Sequence, residues 1–336
     1  TIFSAEKESH FKVNYMKIRG DDLDSTVVKE MTSKISIKAS QTTSFDFHFL
    51  PNDFNLLKNY DSGSGSGFEN LVELGWGIFG WVNQYLVIPV FDFLESKGLG
   101  YGIIILVIAI IFKMLLYFPT KKSYVSMAKM RVLKPEIDAL NEQYKNKDPM
   151  EKQKAQMDLY KKTGVSPLGG CLPMLLQLPI LFALFKFFPA SIQLRQQSFL
   201  WADDLSTYDS VLEFSFLPGI FDHLSLFALL MSLSTLVQMR FNAQPTNNQM
   251  PQLKYMMYIM PVVFFFIMNN YSAGLSYYYL LANIITFLQQ LYIKRKLDDK
   301  KLYAELQENK KKPVKKSNFQ KKLEEISRQQ KSRRRR

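Results

Sequence analysis

The distribution of charged positions divides the chain into uncharged stretches and charged blocks. Residues 255–293 contain no Asp, Glu, Lys, Arg or His, and their clearest break is a polar turn at 269–274. One helical bilayer crossing needs about 20 apolar residues, so this stretch predicts two crossing helices joined by a tight turn. Apolar stretches at 101–118, 167–188 and 223–241 predict three more. The pattern predicts a mainly α membrane protein with five transmembrane helices.

Alternating apolar and polar positions predict β-strands before residue 60, most clearly at 11–15, 35–38 and 44–49. Because so few strands make a poor independent core, we expect residues 1–60 to be the C-terminal part of a larger extracytoplasmic β-sandwich. The chain starts at Thr1 rather than at Met, and we expect that natural sequence precedes it. The Gly/Ser alternation at 61–68 is typical of a flexible linker.

Residues 69–98 are amphipathic and rich in aromatic side chains. Trp and Tyr prefer the region where membrane meets water, so this composition favours an interfacial amphipathic helix. Pro89 argues against one uninterrupted helix. A conventional crossing at 75–93 is the alternative, since that stretch is nearly long enough.

The charged block at 120–165 has the periodicity of a helical hairpin. Its apolar positions recur every three or four residues, which places one stripe along a helix: Met130, Leu133, Ile137, Leu140 and Tyr144. Pro135 must kink or start that helix, and the polar residues 146–149 signal a turn and a new helix. The hairpin could pack only on itself or offer a docking surface, and the pattern alone leaves both open.

The charge distribution predicts orientation. Residues 120–165 hold 11 Lys/Arg, whereas 190–222 hold one Arg against five acidic residues. By the positive-inside rule the hairpin is cytoplasmic and the second loop faces out, so the N-terminal domain is periplasmic and the C-terminus cytoplasmic. Of the net charge of +13, residues 294–336 supply +12, with 18 basic and 6 acidic residues. We expect such a basic tail to bind anionic lipid or RNA.

Several kinds of chemistry find no support in the residues. One cysteine excludes an intrachain disulfide, and three scattered histidines suggest neither a metal site nor a catalytic triad. The glycines at 63–67 lack the Lys-Ser/Thr of a phosphate-binding loop. We therefore expect no enzyme activity, no metal and no cofactor.

Lys113 is the one charge between Lys97 and Lys121. A lysine at the centre of a crossing helix costs about 2.5–3.5 kcal/mol on insertion scales, which suggests a polar site within the membrane. The alternative is that Lys113 snorkels to the nearby cytoplasmic boundary. Amides on other predicted crossings, Gln177, Gln238 and Asn283, favour a hydrated cavity. No acidic residue lies within a crossing, which argues against a proton-coupled transporter.

Motifs over about 70–336 resemble the YidC family of membrane protein insertases. The segments that carry the resemblance are YVSMAKMR at 124–131 with LKP at 133–135, PLGGCLP at 167–173 with Gln177 and Pro179, and GL at 274–275 with Tyr278, Tyr279 and Asn283. The resemblance implies a hydrophilic groove, closed to the outside and open to cytoplasm and lipid, with Tyr278 and Tyr279 among its residues. The family usually has arginine where this chain has Lys113, which keeps the charge but loses the two-pronged hydrogen bonding.

Together these features predict an insertase and membrane chaperone of the bacterial inner membrane. The alternative is a channel or transporter subunit. Expected partners are newly made membrane proteins, membrane lipids, the ribosome through the basic tail, and a translocon. Since no nucleotide site is recognisable, energy would come from client hydrophobicity, the membrane potential or a partner.

The predicted orientation can be tested by thiol labelling. In a protein without Cys171, cysteines introduced by Lys147→Cys and Lys316→Cys should be shielded from an impermeant reagent in intact cells, because both positions are predicted to be cytoplasmic. Ser206→Cys should react. Reaction at position 147 would overturn the five-helix topology.

Overall fold

The computed structural model describes residues 2–5, 11–19, 30–37, 45–60, 67–145, 147–166, 169, 172–217, 221–241 and 251–311. The chain forms two compact units, Thr1–Val72 and Glu73–Arg336. Most of the predicted linker, most of the motif at 167–171 and the end of the tail from 312 lie outside the described residues.

The described residues of the first unit include four strands and one short α-helix. They are β1 (Ile2–Ala5), β2 (Phe11–Arg19), β3 (Glu30–Ile37), β4 (Phe45–His48) and α1 (Phe54–Tyr60). The strands pair antiparallel in two separate ladders, β1 with β4 and β2 with β3. Strands therefore occur where the alternation predicts them, while the larger β-sandwich stays a prediction.

The second unit opens with two short helices, α2 (Ile78–Val82) and α3 (Ile88–Glu95), joined by a π-helical turn. Pro89 lies in the first turn of α3, directly after the π-helical turn at Asn83–Val87. Trp76, Trp81 and Tyr85 are exposed, whereas Asn83 is buried and its amide donates to Leu74 O and Ala183 O, each at 2.7 Å. One side of this segment thus packs on the unit and the other presents aromatic rings.

The described part of the second unit contains nine further α-helices. Their bounds are α4 Tyr101–Leu115, α5 Tyr117–Val132, α6 Lys134–Gln143, α7 Pro149–Thr163, α8 Leu172–Ala190, α9 Leu226–Phe241, α10 Pro251–Asn269, α11 Ala273–Lys296 and α12 Asp299–Lys311. Among the described helices, none alone has both the length and the apolar composition of a bilayer crossing; α4 and α5, bent by 61°, meet that requirement as a pair. The number of crossings therefore stays a prediction.

Two predicted apolar stretches differ from the helices observed. The stretch 101–118 is not one helix, because α4 ends at Leu115 and the chain bends into α5. The stretch 223–241 begins in a strand: β5 (Leu212–Leu217) and β6 (Phe221–Leu224) form a hairpin that contains His223. The alternation of apolar and polar residues in β6 extends over only four residues and lies beside a long apolar run. The sequence pattern therefore does not reveal this strand.

The segment 120–165, called the hairpin segment below, consists of the end of α5, then α6 and α7. Pro135 lies in the first turn of α6, so it starts a helix there. Asp148 caps α7 by accepting a hydrogen bond from Met150 N at 3.0 Å, and Gly164 ends that helix in the left-handed region at φ 72°. Of the predicted stripe, Met130, Leu133 and Ile137 are buried, while Leu140 and Tyr144 are half-buried.

Helix α12 covers that stripe, which the sequence did not predict. Leu306 is fully buried among Met130, Leu133 and Ile137. Ion pairs flank this contact: Lys129 Nζ lies 2.8 Å from Glu305 Oε1, and Arg131 lies 3.0 Å from Asp299. The stripe is therefore neither only self-packed nor free, and the start of the predicted basic tail is folded.

Glu136 of α6 is the main polar contact of α12. Its carboxylate accepts hydrogen bonds from Lys310, Gln307 and Tyr303. Partial burial raises the pKa of Glu136, but these hydrogen bonds and the charge of Lys310 outweigh burial and lower the pKa below its ordinary value. A lowered folded-state pKa means that the carboxylate stabilises docking above the unfolded value and loses that effect in acid.

We expect α12 to loosen as the pH falls below about 4.3, the ordinary glutamate value. Glu136→Gln should weaken docking by roughly 1–3 kcal/mol at neutral pH, because Lys310 loses its anionic acceptor. Hydrogen exchange of the α12 amides measures both effects. Glu142→Gln is the matched control, since Glu142 is exposed and its one ion pair among the described residues is with Lys145, at 3.7 Å. Equal hydrogen-exchange protection of the α12 amides in Glu136→Gln and Glu142→Gln, at neutral and acid pH, would contradict this role of Glu136.

Candidate functional site

Lys113 lies in the last turn of α4, next to the bend into α5. The side chain is half-buried, between fully buried Phe112 and exposed Met114. Carbonyl groups in the last turn of a helix lack intrahelical donors. Gln289 of α11 supplies one, donating from Nε2 to Lys113 O at 3.3 Å. The backbone of Lys113 is thus tied to α11 independently of its side chain.

The ammonium group of Lys113 reaches across to α8. Nζ donates to Gln177 Oε1 at 3.1 Å, and Gln177 Nε2 makes a longer contact of 3.5 Å with the hydroxyl of Tyr278 on α11. Tyr278 is fully buried between the rings of Phe112 and Phe188. Three predicted site residues from three helices therefore meet, and we call Lys113, Gln177 and Tyr278 the lysine cluster.

The lysine cluster contains one charge and neutral partners. Within the part of the chain that the structure describes, no carboxylate lies within ion-pair distance of Lys113 Nζ. A neutral amide oxygen stabilises an ammonium group less than a carboxylate does. The cluster can therefore hold Lys113 in place and still leave its positive charge available to an incoming anionic group.

A second set of polar contacts lies between the lysine cluster and the hairpin segment. Gln290 of α11 is buried and donates to the hydroxyl of Tyr124 on α5 at 2.6 Å. Ser126, also on α5, donates to Ser166 O at 3.2 Å, and Ser123 donates to Gly169 O. A Cβ atom at Gly169 would collide with Ser126, so this approach requires glycine. These contacts fix α5 against α11 and α8.

Asn283 lies apart from the lysine cluster, in the contact between α9 and α11. Its Nδ2 donates to Ser234 Oγ and Thr235 Oγ1, both at 2.9 Å. Hydrogen bonds of this kind commonly join neighbouring helices within membranes. The structure therefore gives Asn283 a helix-joining contact.

Among the described residues, the two remaining predicted site residues make no hydrogen bond with the lysine cluster, although the ring of Tyr279 meets that of Tyr278 at 5.4 Å. Gln238 of α9 is half-buried and makes no hydrogen bond to another described residue. Tyr279 is buried against Phe264 of α10, and its hydroxyl has no partner among the described residues. Sequence spacing could not give the direction of these two side chains.

Sequence reasoning missed the polar residues at the other end of the bundle. Asp209 is 2% exposed and accepts hydrogen bonds from Trp201 and Ser225. In the sequence, Asp209 is one of five acidic residues in a predicted loop, and nothing there marks it as buried. Ser225, followed by an apolar run, was an available helix-start signal for α9.

The family model described as 60Kd inner membrane protein matches residues 93–301. A relative from Parabacteroides distasonis, named membrane protein insertase YidC, is 47% identical over 90% of this chain and 51% of its own length. A relative of the same name from Bacteroides fragilis is 42% identical over 98% of this chain and 55% of its own length. The chain spans about half the length of these curated relatives.

A solved structure has a similar fold. The crystal structure described as an active YidC insertase with the first transmembrane domain resolved matches with a TM-score of 0.50 and 22% identity. The match covers 88% of this chain and 65% of the solved one. The two folds are thus similar. Helices α4 to α11 lie within the residues 93–301 that the family model matches.

The contrast between Asn283 and Gln238 predicts different effects on stability. Asn283→Leu should lower the free energy of unfolding by about 0.6–1.7 kcal/mol, because it removes hydrogen bonds between α9 and α11. Gln238→Leu, which removes an amide of similar size on the facing helix, should change it little. Thermal unfolding in detergent measures both. Equal losses would show that the Asn283 contact does not join the helices.

Proposed function

Because the chain belongs to the 60Kd inner membrane protein family, we propose that this bacterial inner membrane protein is a membrane protein insertase and chaperone. It would pass polar segments of client proteins through a hydrophilic groove within the bilayer. The observation that carries the proposal is the lysine cluster, in which Lys113 Nζ is held at 3.1 Å by the neutral oxygen of Gln177. The groove would contain Lys113, Gln177, Gln238, Tyr278, Tyr279 and Asn283.

The proposed role of Lys113 follows from the cost of moving charge through hydrocarbon. A carboxylate at the centre of a crossing segment costs about 2.5–3.5 kcal/mol on insertion scales. A positive charge positioned along the path offsets part of that cost, provided that no carboxylate of the protein already neutralises it. The neutral surroundings of Lys113 among the described residues meet that condition.

Gln177 would keep Lys113 directed towards α8 and α11. A lysine near a helix end otherwise extends to the lipid headgroups. The hydrogen bond to Gln177 opposes that motion, and an arriving carboxylate can replace the amide oxygen because a charge-assisted hydrogen bond is stronger. Contact with the client would then be transient, as insertion requires.

The proposed partners are newly made membrane proteins and membrane lipids. The basic residues from 312 onward, together with α12, would bring ribosomal RNA or anionic lipid close to the hairpin segment, since α12 packs on α5 and α6. A translocon would be a further partner. In the proposed topology, α12 and the hairpin share the cytoplasmic side, which agrees with their contact in the structure.

Substitutions at Lys113 test the groove. Lys113→Arg should keep insertion activity, because the positive charge remains. Lys113→Ala should reduce insertion of clients with acidic translocated segments by about tenfold, or about 1.4 kcal/mol, and affect neutral clients less. Lys113→Glu should be worse for acidic clients through like-charge repulsion. The measurement is insertion into liposomes that contain matched amounts of each variant.

Lys122→Ala is the matched control, since Lys122 is an exposed lysine on α5. Equal activity of the Ala, Glu and unmodified proteins on an acidic client would rule out the role of Lys113. Ion flux through the same liposomes without client would support a channel instead.

A further inference from the structure

One loop covers the ends of four helices, at the end of the bundle opposite the hairpin segment. We call residues 197–209 the cap loop. Leu205 O accepts from Gly274 N at 2.9 Å and from Ser272 Oγ at 2.7 Å, and Thr207 O accepts from Ala273 N at 2.5 Å. The first N–H groups of a helix have no partner within it. The cap loop supplies those partners for α11.

The same loop closes over the start of α4. The ring of Phe199 lies so close to Gly102 that a Cβ atom there would collide with it, and it also contacts the ring of Tyr277 at 5.0 Å. Gln196, just before the cap loop, and Leu200, within it, adopt positive φ angles of 58° and 56°, a region that non-glycine residues seldom occupy. Surrounding contacts must therefore hold the loop in this conformation.

Asp209 joins the cap loop to α9. Its Oδ2 accepts from Trp201 Nε1 at 2.8 Å and from Phe227 N at 3.0 Å, while Oδ1 accepts from Ser225 Oγ at 2.5 Å. Among the described residues Asp209 is the one buried carboxylate, and none of the basic side chains there forms an ion pair with it. The N-terminus of α9 and three hydrogen-bond donors stabilise its charge.

The hydrogen bonds continue from Asp209 to α10. Ser225 N donates to Asn269 Oδ1 at 2.9 Å, and Asn269 Nδ2 donates to His223 O at 2.9 Å. Asn269 is the last residue of α10. The cap loop thus contacts α4, α9 and α11 directly and α10 through Ser225.

We propose that Asp209 is a positioning residue that holds the cap loop shut, so that the path containing Lys113 stays closed at the end predicted to face outside. This inference rests on the proposed function. Without the carboxylate, the indole N–H of Trp201, the buried N–H of Phe227 and the buried hydroxyl of Ser225 all lose this acceptor. Water is the one acceptor available to replace it, so removing the side chain should admit water beneath the loop.

A buried serine provides a reporter of that opening. Ser276 is fully buried in the first turns of α11, and its hydroxyl has no partner among the described residues, so Ser276→Cys is a small change. In a Cys171→Ser background, its reaction with a membrane-impermeant thiol reagent is measured in right-side-out membrane vesicles. The assay needs no client, so it can fail independently of the insertion assay.

We expect little labelling at position 276 with Asp209 present and about tenfold faster labelling with Asp209→Ala, because local opening exposes the thiol. Asp209→Asn should stay close to the unmodified protein, since its amide oxygen can still accept from Trp201 and Phe227 N. Asp203→Ala is the matched control, because Asp203 is an exposed carboxylate of the same loop. Equal labelling in Asp209→Ala and Asp203→Ala would overturn the proposal.

Trp201→Phe keeps the test decisive if Asp209→Ala fails to fold. It retains a ring against Phe227, which Trp201 contacts at 4.3 Å, but removes one donor to Asp209. Labelling should then rise above that of the Asp203→Ala control. Labelling at the control rate in a folded Trp201→Phe protein would count against the cap.

Discussion

The free N–H and C=O groups at helix ends must find partners inside the protein wherever water is scarce, and this constraint organises the second unit. In hydrocarbon each unpaired backbone group costs several kcal/mol. The start of α11 is paired by Leu205 and Thr207 of the cap loop, and the last turn of α4 by Gln289. The same contacts that complete the helices also join them to one another.

The lysine cluster differs from these backbone contacts, because it pairs a charged side chain with a neutral acceptor. A carboxylate beside Lys113 would give a more stable pair, and removing either partner would then leave an uncompensated charge. Gln177 instead gives Lys113 an acceptor without cancelling its charge. The protein thus gives up some stability for a charge that can exchange partners, a common compromise at functional sites.

Local sequence signals predicted the elements that depend on neighbouring residues. The turn between α10 and α11, the start of α6 at Pro135 and the cap of α7 at Asp148 all follow from spacing and residue type. Docking of α12 was not predictable, because Leu302 and Leu306 lie in a strongly charged segment whose partners are over 100 residues away. Gln238 and Asn283 show the same limit: spacing places an amide on a helix, but packing decides what it contacts.

The two ends of the second unit are held by different interactions. At the hairpin end, exposed ion pairs such as Arg131 with Asp299 contribute about 0–1 kcal/mol each and weaken with salt. At the cap end, the buried hydrogen bonds that Ser225 and Phe227 donate to Asp209 contribute roughly 1.5–3 kcal/mol each, because the acceptor is charged. Local opening should therefore be easier at the hairpin end. The proposed path, which would admit clients from the cytoplasm and stay closed to the outside, would need this asymmetry, and the placement of exposed and buried charges contributes to it.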